Sequence, residues 1–295
     1  MPSHLEKAMM PAKALRRICR RHIGQALARL RKPAHPAAIH GARKEIKRLR
    51  SIFRLVQKEM SRRDYRKAGK ALHQTADRLA APRDARVTLK AFEKLAGPDA
   101  PLRFPKIQTM LQKHYRRETR RFRNDNSVES AKNVLKKVNR HVRGLKIKPA
   151  GWTAIAPGLK QSYRLGQQAC KRVRRQSSPE NFHEWRKHVK TFWHQLRALC
   201  PERPAARAMM DGLERLGEKL GEDHDLFLLK QFVGENCAAQ VAEAKALNQR
   251  IESRQKILRA AALKFGALLY TETPAMVCAR LKNHWNAWPR KAGRR

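Results

Sequence analysis

IHGARKEIKRLRSIFRLV, residues 39–56, carries two parallel stripes at helical spacing, one apolar and one cationic. Apolar side chains recur at steps of three and four residues, which on an α-helix makes a continuous seam that faces a core. The seam consists of Ile39, Ala42, Ile46, Leu49, Phe53 and Val56. One residue further round the helix, the same spacing places His40, Arg43, Lys47, Arg50 and Arg54. Because this second stripe flanks the seam, the sequence predicts cations at the edge of the packing.

Residues 182–199, FHEWRKHVKTFWHQLRAL, repeat both stripes. The apolar positions are Phe182, Trp185, Val189, Phe192, Leu196 and Leu199, and the cationic positions are His183, Arg186, Lys190 and Arg197. A second match follows in each half, where LAAPRD at 79–84 aligns with LGEDHD at 220–225. The chain is therefore predicted to be an internal duplication. Two copies whose basic stripes face each other would form a central groove or pore with approximate twofold symmetry.

The chain carries far more positive than negative charge. Its 295 residues include 68 Lys and Arg against 24 Asp and Glu, a formal net charge of +44. The segment from Lys13 to Lys58 holds fifteen Lys or Arg and one acid, Glu45. Such a charge repels itself in a compact fold and favours a polyanionic partner. The candidates are nucleic acid, an anionic membrane and a phosphate polymer.

The fold class predicted from periodicity is all-α. Nearly every segment between Pro or Gly breaks has helical period, and no alternating apolar run predicts a strand. Helices are expected at about 10–31, 37–60, 62–80, 83–96, 103–124, 128–144, 154–175, 179–199, 203–220, 222–236, 239–270 and 275–288. The Pro- and Gly-containing joint KIKPAGWTAIAPG, residues 146–158, divides them into a first bundle, 1–146, and a second, 147–295. Each bundle is expected to be of the four-helix type with extra helices.

The cysteines and the N-terminus bear on the cellular compartment. The five cysteines are widely separated and include no CxxC pair, which predicts packing residues and not a disulfide framework or a thiolate metal site. The first residues lack the uninterrupted apolar core of a signal peptide. We therefore expect a soluble cytoplasmic protein.

The duplicated motifs resemble those of the CHAD family, the conserved histidine α-helical domain, over nearly the whole chain. They are HGARKEIKRLR at 40–50, PRDARV at 82–87, HEWRKHVK at 183–190 and DHDLFL at 223–228. The resemblance implies two helical bundles related by a pseudo-twofold axis around a basic central pore. It also implies binding of inorganic polyphosphate without catalysis, and targeting to polyphosphate granules in bacteria. The ExExK signature of the triphosphate-hydrolysing domain that often accompanies the family does not occur in this sequence.

The expected polyphosphate ligands are basic side chains on the two stripes and on the helix before each stripe. In the first half they are Arg16, Arg17, Arg20, Arg21, His40, Arg43, Lys44, Lys47, Arg50 and Arg54. In the second half they are Arg164, Lys171, His183, Arg186, Lys187, Lys190 and Arg197. Arginine pairs two phosphate oxygens at once and lysine supplies a mobile point charge, a mixture that suits a phosphate chain without fixed register. Thr191 and Trp193 replace Arg48 and Arg50 in the second copy, which predicts binding weighted toward the first half.

Two pairs of residues beside the stripes have other expected roles. For His40 and His183 a structural role and a ligand contact are equally expected, and crowding by cations should lower the pKa of each ring. Asp84 and Asp225 lie among bases. We expect them to orient an arginine or to cap the next helix, and not to act as catalytic acids.

Three other functions compete with polyphosphate binding. His188 with His224-Asp225 could begin the H…HD…D pattern of a metal phosphohydrolase, but no Asp follows Asp225, so neither enzymatic activity nor a metal or other cofactor is expected. RNA binding through the same basic surface stays open as the alternative. It is disfavoured because only 6% of residues are aromatic and the rings at Phe53, Trp185 and Phe192 belong to apolar seams. Membrane-surface binding is weaker still, because the apolar helix faces are committed to a core.

Overall fold

The computed structural model describes residues 11–31, 36–145, 151–199, 204–237 and 239–286. Within these ranges the regular structure is entirely helical, which confirms the all-α prediction. The helices are α1 (Pro11–Arg29), α2 (Pro36–Leu55), α3 (Arg62–Arg78), α4 (Ala81–Ala96), α5 (Ala100–Arg103), α6 (Pro105–Asn124), α7 (Ser127–Arg143), α8 (Trp152–Arg175), α9 (Pro179–Leu199), α10 (Pro204–Asn236), α11 (Val241–Leu269) and α12 (Pro274–Asn286). A 3-10 turn, Gln57–Glu59, follows α2. None of the described helices combines the length and the apolarity that a membrane span requires.

Helix α10 is longer than predicted. The sequence predicted helices at 203–220 and 222–236 with a break at Gly221, whereas α10 runs unbroken from Pro204 to Asn236. A glycine inside a helix costs about 1 kcal/mol relative to alanine. Packing of α10 against α9, α11 and α4 outweighs that cost.

The two apolar seams lie at the centre of an inner core. All six seam residues of α2 and all six of α9 are buried, as predicted. Helix α2 packs against α1, α3, α8 and α9. One continuous cluster of buried apolar side chains runs through α1, α2, α3, α7, α8, α9, α12, the end of α6 and parts of α10 and α11. We call this cluster the inner core.

The end of α2 and the start of α8 meet at backbone distance. A Cβ atom on Gly158 would lie 1.9 Å from the carbonyl oxygen of Leu55, so only glycine allows this approach. Pro157 lies inside α8, although the sequence predicted that it belongs to the joint. Residues 146–150 of that joint lie outside the described residues. The boundary between bundles at 146 and their twofold relation stay predictions.

A separate outer core packs α4, α5 and α6 against the second part of α10 and the first part of α11. Its buried residues are Phe92, Ala96, Ala100, Phe104, Ile107, Leu111, Leu226, Leu229, Phe232, Val233, Cys237, Leu247, Ile251 and Leu258. Along α10, Leu220 is the last residue of the inner core and Leu226 the first of the outer core. The turn 221–225 therefore lies where the two cores adjoin.

The cysteines within the described ranges carry no disulfide. Cys19, Cys170 and Cys237 are buried and Cys278 is half-buried. This agrees with their predicted role as small packing residues. Cys200 lies outside the described residues.

Candidate anion-binding site

Five basic side chains from three helices meet where the two cores adjoin. Arg43 and Lys47 come from α2, Arg83 from α4, and Arg186 and Lys190 from α9. Arg186, Arg83 and Arg43 each act electrostatically on Lys47, and Arg186 acts on Lys190. We call these five residues the central basic cluster. Four of the five were predicted as ligands from the two stripes.

The charge of Lys47 is strongly disfavoured in this setting. Its side chain keeps an exposed surface, yet protein atoms enclose the ammonium group on most sides. Burial by these walls, followed by repulsion from Arg186, Arg83 and Arg43, lowers the pKa of Lys47 from 10.5 to about 7. Asp84 acts in the opposite direction without restoring the usual value. An anion placed here would favour the charged form of Lys47 and raise its pKa again.

Two glycines of α10 lie against the two cations of α9. A Cβ atom on Gly217 would lie 2.8 Å from Cε and 2.9 Å from Nζ of Lys190. A Cβ atom on Gly221 would lie 3.6 Å from Nε of Arg186. The two glycines and the two cations are each one helical turn apart, so α9 and α10 match in register at this point. The missing Cβ atom of Gly217 lets the end of Lys190 lie directly on α10, whereas a Cβ atom at Gly221 would make only ordinary van der Waals contact with Arg186.

Two carboxylates accompany the cluster. Asp84 accepts a hydrogen bond from Arg83 at 2.7 Å between Oδ1 and a terminal guanidinium nitrogen, which fits its expected role of orienting an arginine. Burial raises the pKa of Asp225, against the attraction of Arg83, Arg186 and Lys47. Asp77 also acts electrostatically on Arg43, and Glu214 and Glu218 act on Lys190, so further carboxylates offset part of the positive charge of the cluster.

Three neutral histidines border the cluster. The rings of His183 and His224 lie 4.0 Å apart between centroids, with 32° between their planes. Burial and then Lys187 and Arg186 lower the pKa of His183 to about 4. Burial and then His183, Arg186 and Arg83 lower the pKa of His224 to about 3. The pKa of His40 is also lowered, first by burial and then by Arg83. The predicted direction for His40 and His183 is confirmed, although burial and not crowding by cations is the larger cause.

Three buried polar atoms at this site have no hydrogen-bond partner within the described part of the chain. They are Nδ1 of His183, Nε of Arg186 and Oδ1 of Asp225. Buried polar atoms in folded proteins are normally paired with protein, water or a bound group. The nitrogen atoms are suited to a bound anion, because Nε of Arg186 carries a hydrogen and Nδ1 of His183 can carry one.

The remaining predicted ligands of α2 lie beside the cluster. Lys44 is exposed and acts electrostatically on Lys190 and His40. Burial lowers the pKa of Arg50, which lies nearer Arg54 and Asp77. Arg54 donates a hydrogen bond to Oγ1 of Thr191 on α9 at 3.0 Å. Thr191, which stands where the first copy has Arg48, thus binds an arginine of the first stripe.

The predicted ligands on α1, on α8 and at the end of α9 are spread over other surfaces. Arg16 donates to the carbonyl oxygens of Arg143 and Leu145 at the end of α7, at 3.4 and 3.5 Å. Arg17, Arg20, Arg164 and Lys171 are exposed and Arg21 is half-buried. Arg164 also donates to Gln161, Lys187 pairs with Glu184, and Arg197 lies over the ring of Trp193 at 4.8 Å. The structure does not gather these residues into the central basic cluster.

Comparison with known proteins identifies the family. The CHAD domain model matches residues 14–234. The chain belongs to the CHAD family. A crystal structure of the CHAD domain from the plant Ricinus communis has the same fold, with a TM-score of 0.63 over 97% of this chain and 95% of that one, at 15% sequence identity. A search among curated proteins found no match.

Two residues of the site in this CHAD protein were not predicted from the sequence. Arg83 belongs to the central basic cluster, and His224 stacks on His183. The alignment of LAAPRD with LGEDHD places these two residues opposite each other, immediately before Asp84 and Asp225. That correspondence was the available signal, but the prediction included only the carboxylates. Within the described ranges, no group of three or more His, Cys, Asp or Glu side chains is placed to hold a metal ion.

Proposed function

We propose that this CHAD protein binds inorganic polyphosphate at the central basic cluster, without catalysing a reaction. The observation that carries the proposal is the convergence of Arg43, Lys47, Arg83, Arg186 and Lys190 from three helices onto one place. Holding these charges together costs free energy in the unliganded fold, as the lowered pKa of Lys47 indicates. A chain of phosphates would offset that cost with a hydrogen-bond acceptor for each cation.

The burial of the neighbouring aromatic side chains favours polyphosphate over RNA, which is the alternative ligand. The large aromatic residues of the two stripes, Phe53, Trp185 and Phe192, are buried in the inner core and offer no face for base stacking. RNA could therefore contact the site only through its backbone phosphates. Association with polyphosphate granules, implied by the family resemblance, forms part of the same proposal.

A competition titration tests the choice of ligand. Long-chain polyphosphate and RNA at equal charge concentration are titrated at physiological salt against the full chain. We expect polyphosphate to bind more tightly. Equal or tighter binding of RNA would overturn the proposal.

A pair of double variants tests the location. Lys47→Gln with Arg186→Gln removes two charges of the cluster, and we expect polyphosphate binding to weaken by about a hundredfold or more, since each charged hydrogen bond is worth about 1.5–3 kcal/mol. Lys136→Gln with Arg140→Gln removes the same charges from exposed positions of α7 that form no ion pair with any described residue. If both double variants lost the same affinity, binding would depend on total charge and not on this cluster.

A further inference from the structure

A second cavity lies next to the central basic cluster on the other side of Arg83. It has a volume of about 270 Å³ and opens between the start of α2, the first half of α4 and the second half of α6. Its lining residues are Ala37, Ile39, His40, Pro82, Arg83, Arg86, Val87, Lys90, Tyr115, Thr119, Phe122 and Arg123. We call it the α4–α6 pocket.

The pocket exists because neither core fills this part of the α4–α6 interface. Further along the same two helices, Phe92, Ile107 and Leu111 close the interface as members of the outer core. At the pocket, Ile39 and Phe122 belong to the inner core and not to the outer core. The pocket thus lies at the junction of the two cores, with an apolar floor on its inner side.

The chemistry of the lining has two parts. Ile39, Pro82, Val87 and Phe122 present apolar surface, and the ring of Tyr115 adds to it. Around them stand four cations, namely Arg83, Arg86, Lys90 and Arg123, and the lining contains no Asp or Glu.

Three of these cations are not neutralised by the protein itself. Arg86, Lys90 and Arg123 form no ion pair with any described residue, whereas Arg83 is paired with Asp84. A ligand that satisfies both parts of the lining is an anion attached to an apolar, ring-sized body. A bare phosphate chain would leave the apolar floor uncovered, and a neutral ring would leave the cations without a partner.

We propose that the α4–α6 pocket binds a nucleoside monophosphate, with the base on the apolar floor and the phosphate on Arg86, Lys90 and Arg123. The volume lies just below the range of about 300–1,000 Å³ typical of ligand pockets, which favours one ring system and one phosphate over a larger ligand. Because Arg83 and His40 line this pocket and also border the central basic cluster, the two sites share a wall. The pocket itself does not depend on the proposed binding of polyphosphate.

Calorimetric titration of the full chain with AMP tests the proposal, with adenosine and inorganic phosphate as separate titrants. We expect AMP to bind, and adenosine and inorganic phosphate each to bind much more weakly. If inorganic phosphate bound as tightly as AMP, the floor would contribute nothing and the proposal would fail. Absence of AMP binding would also overturn it.

A pocket-filling variant with a matched control fixes the location. Thr119→Trp introduces a large side chain into the pocket without changing charge, and we expect AMP binding to weaken about tenfold or more because the ring loses its space. Thr109→Trp makes the same change on the same helix at an exposed position, where the threonine forms the same kind of bond to the carbonyl four residues before it. We expect AMP binding to be unchanged there. Equal losses in both variants, or no loss in Thr119→Trp, would refute the assignment.

The same variants separate this proposal from polyphosphate binding. Thr119→Trp should still bind polyphosphate, and the double variant Lys47→Gln with Arg186→Gln should still bind AMP. Loss of AMP binding in the double variant would place AMP in the central basic cluster and overturn the proposal.

Discussion

Gly217 of α10 lies against the end of the Lys190 side chain, so close that a Cβ atom at Gly217 would fall 2.8 Å from Cε of Lys190. The atoms involved are the far end of a flexible side chain and not backbone. A larger residue at 217 would therefore move the cation without breaking the helix. The relationship connects the packing of α10 directly to the position of a predicted ligand.

Replacement of Gly217 by alanine should separate binding from stability. Alanine favours the helix by up to about 1 kcal/mol over glycine, so the melting temperature should stay the same or rise. Lys190 must shift, so we expect weaker binding of polyphosphate, measured by titration. Gly234→Ala is the matched control, because Gly234 lies on the same helix and a Cβ atom there would meet nothing within 4 Å. A loss of affinity in both variants would mean that Gly217 has no special relation to the site.

The affinity for polyphosphate should fall as pH rises above neutrality. The pKa of Lys47 is about 7 in the free protein, because of burial and neighbouring cations. Bound phosphates favour its charged form, so binding takes up a proton above that pH and weakens as protons become scarce. The pKa values of His183 and His224, about 4 and about 3, keep these rings neutral in the same range.

Lys47→Arg isolates this effect. Arginine stays charged at all relevant pH values. We expect a flatter pH profile than in the wild type between about pH 7 and 9, measured with long polymers whose titrating ends are few. The same decline in both proteins would show that Lys47 is not the group that takes up the proton.

Glu45 should be a strong determinant of stability. It is the one acid between Lys13 and Lys58, it is buried, and it contacts Nδ1 of His22 at 2.7 Å and Arg48 at 2.9 Å. Burial alone would raise the pKa of Glu45, but the hydrogen bond with His22 and the charge of Arg48 outweigh it and lower the pKa. Glu45→Ala leaves these partners without their acceptor, and we expect a loss of about 3–5 kcal/mol in the free energy of unfolding.

Glu129→Ala provides the control for that measurement. Glu129 pairs with Lys132 at 3.2 Å in an exposed position, so its loss should cost less than about 1 kcal/mol. Both variants change the net charge equally. A difference between their free energies of unfolding, measured by chemical denaturation, therefore reports the buried hydrogen-bond network and not the total charge. Similar losses would contradict a special role for Glu45.

Added salt should raise the melting temperature of the free protein and reduce the stabilisation that polyphosphate adds. The cations repel one another most strongly in the folded chain, so added salt, which screens charges over about 8 Å near physiological strength, should raise the melting temperature of the free protein. A polyanion that binds the folded state adds stability by mass action, and its affinity falls with salt as counterion release becomes less favourable. Thermal melts across a salt series should show the polyphosphate increment shrinking. An increment that is constant with salt would argue against binding by the basic residues.

Helical periodicity was sufficient to predict the seams and the stripes but not the partners of each cation. Ile46 and Trp185 are buried because their positions repeat with the turn of the helix. Arg43, Arg54 and Arg16 carry the same charge, yet Arg43 donates to the carbonyl oxygen of Ala76, Arg54 to Thr191 and Arg16 to the end of α7. These partners come from distant segments, so local sequence does not specify them.

The two missed features have the same origin. Arg83 reaches the cluster because α4 packs against α10 and α2, and α10 continues through Gly221 because it packs against α9, α11 and α4. Both depend on contacts between segments far apart in the chain. The local sequence around Gly221 indicates a helix break, but it does not show the packing against distant helices that keeps α10 continuous there.

The division into two cores gives a bound polyanion a mechanical role. Arg43, Lys47, Arg186 and Lys190 stand on helices of the inner core, whereas Arg83 stands on a helix of the outer core. A ligand that contacts Arg83 and Arg186 together would act as a reversible cross-link between the outer core and the inner core. Amide hydrogen exchange should then slow across α4 and α6 on binding, including in helical turns that do not contact the ligand. The reason is that the outer core could open only after the polyanion has dissociated.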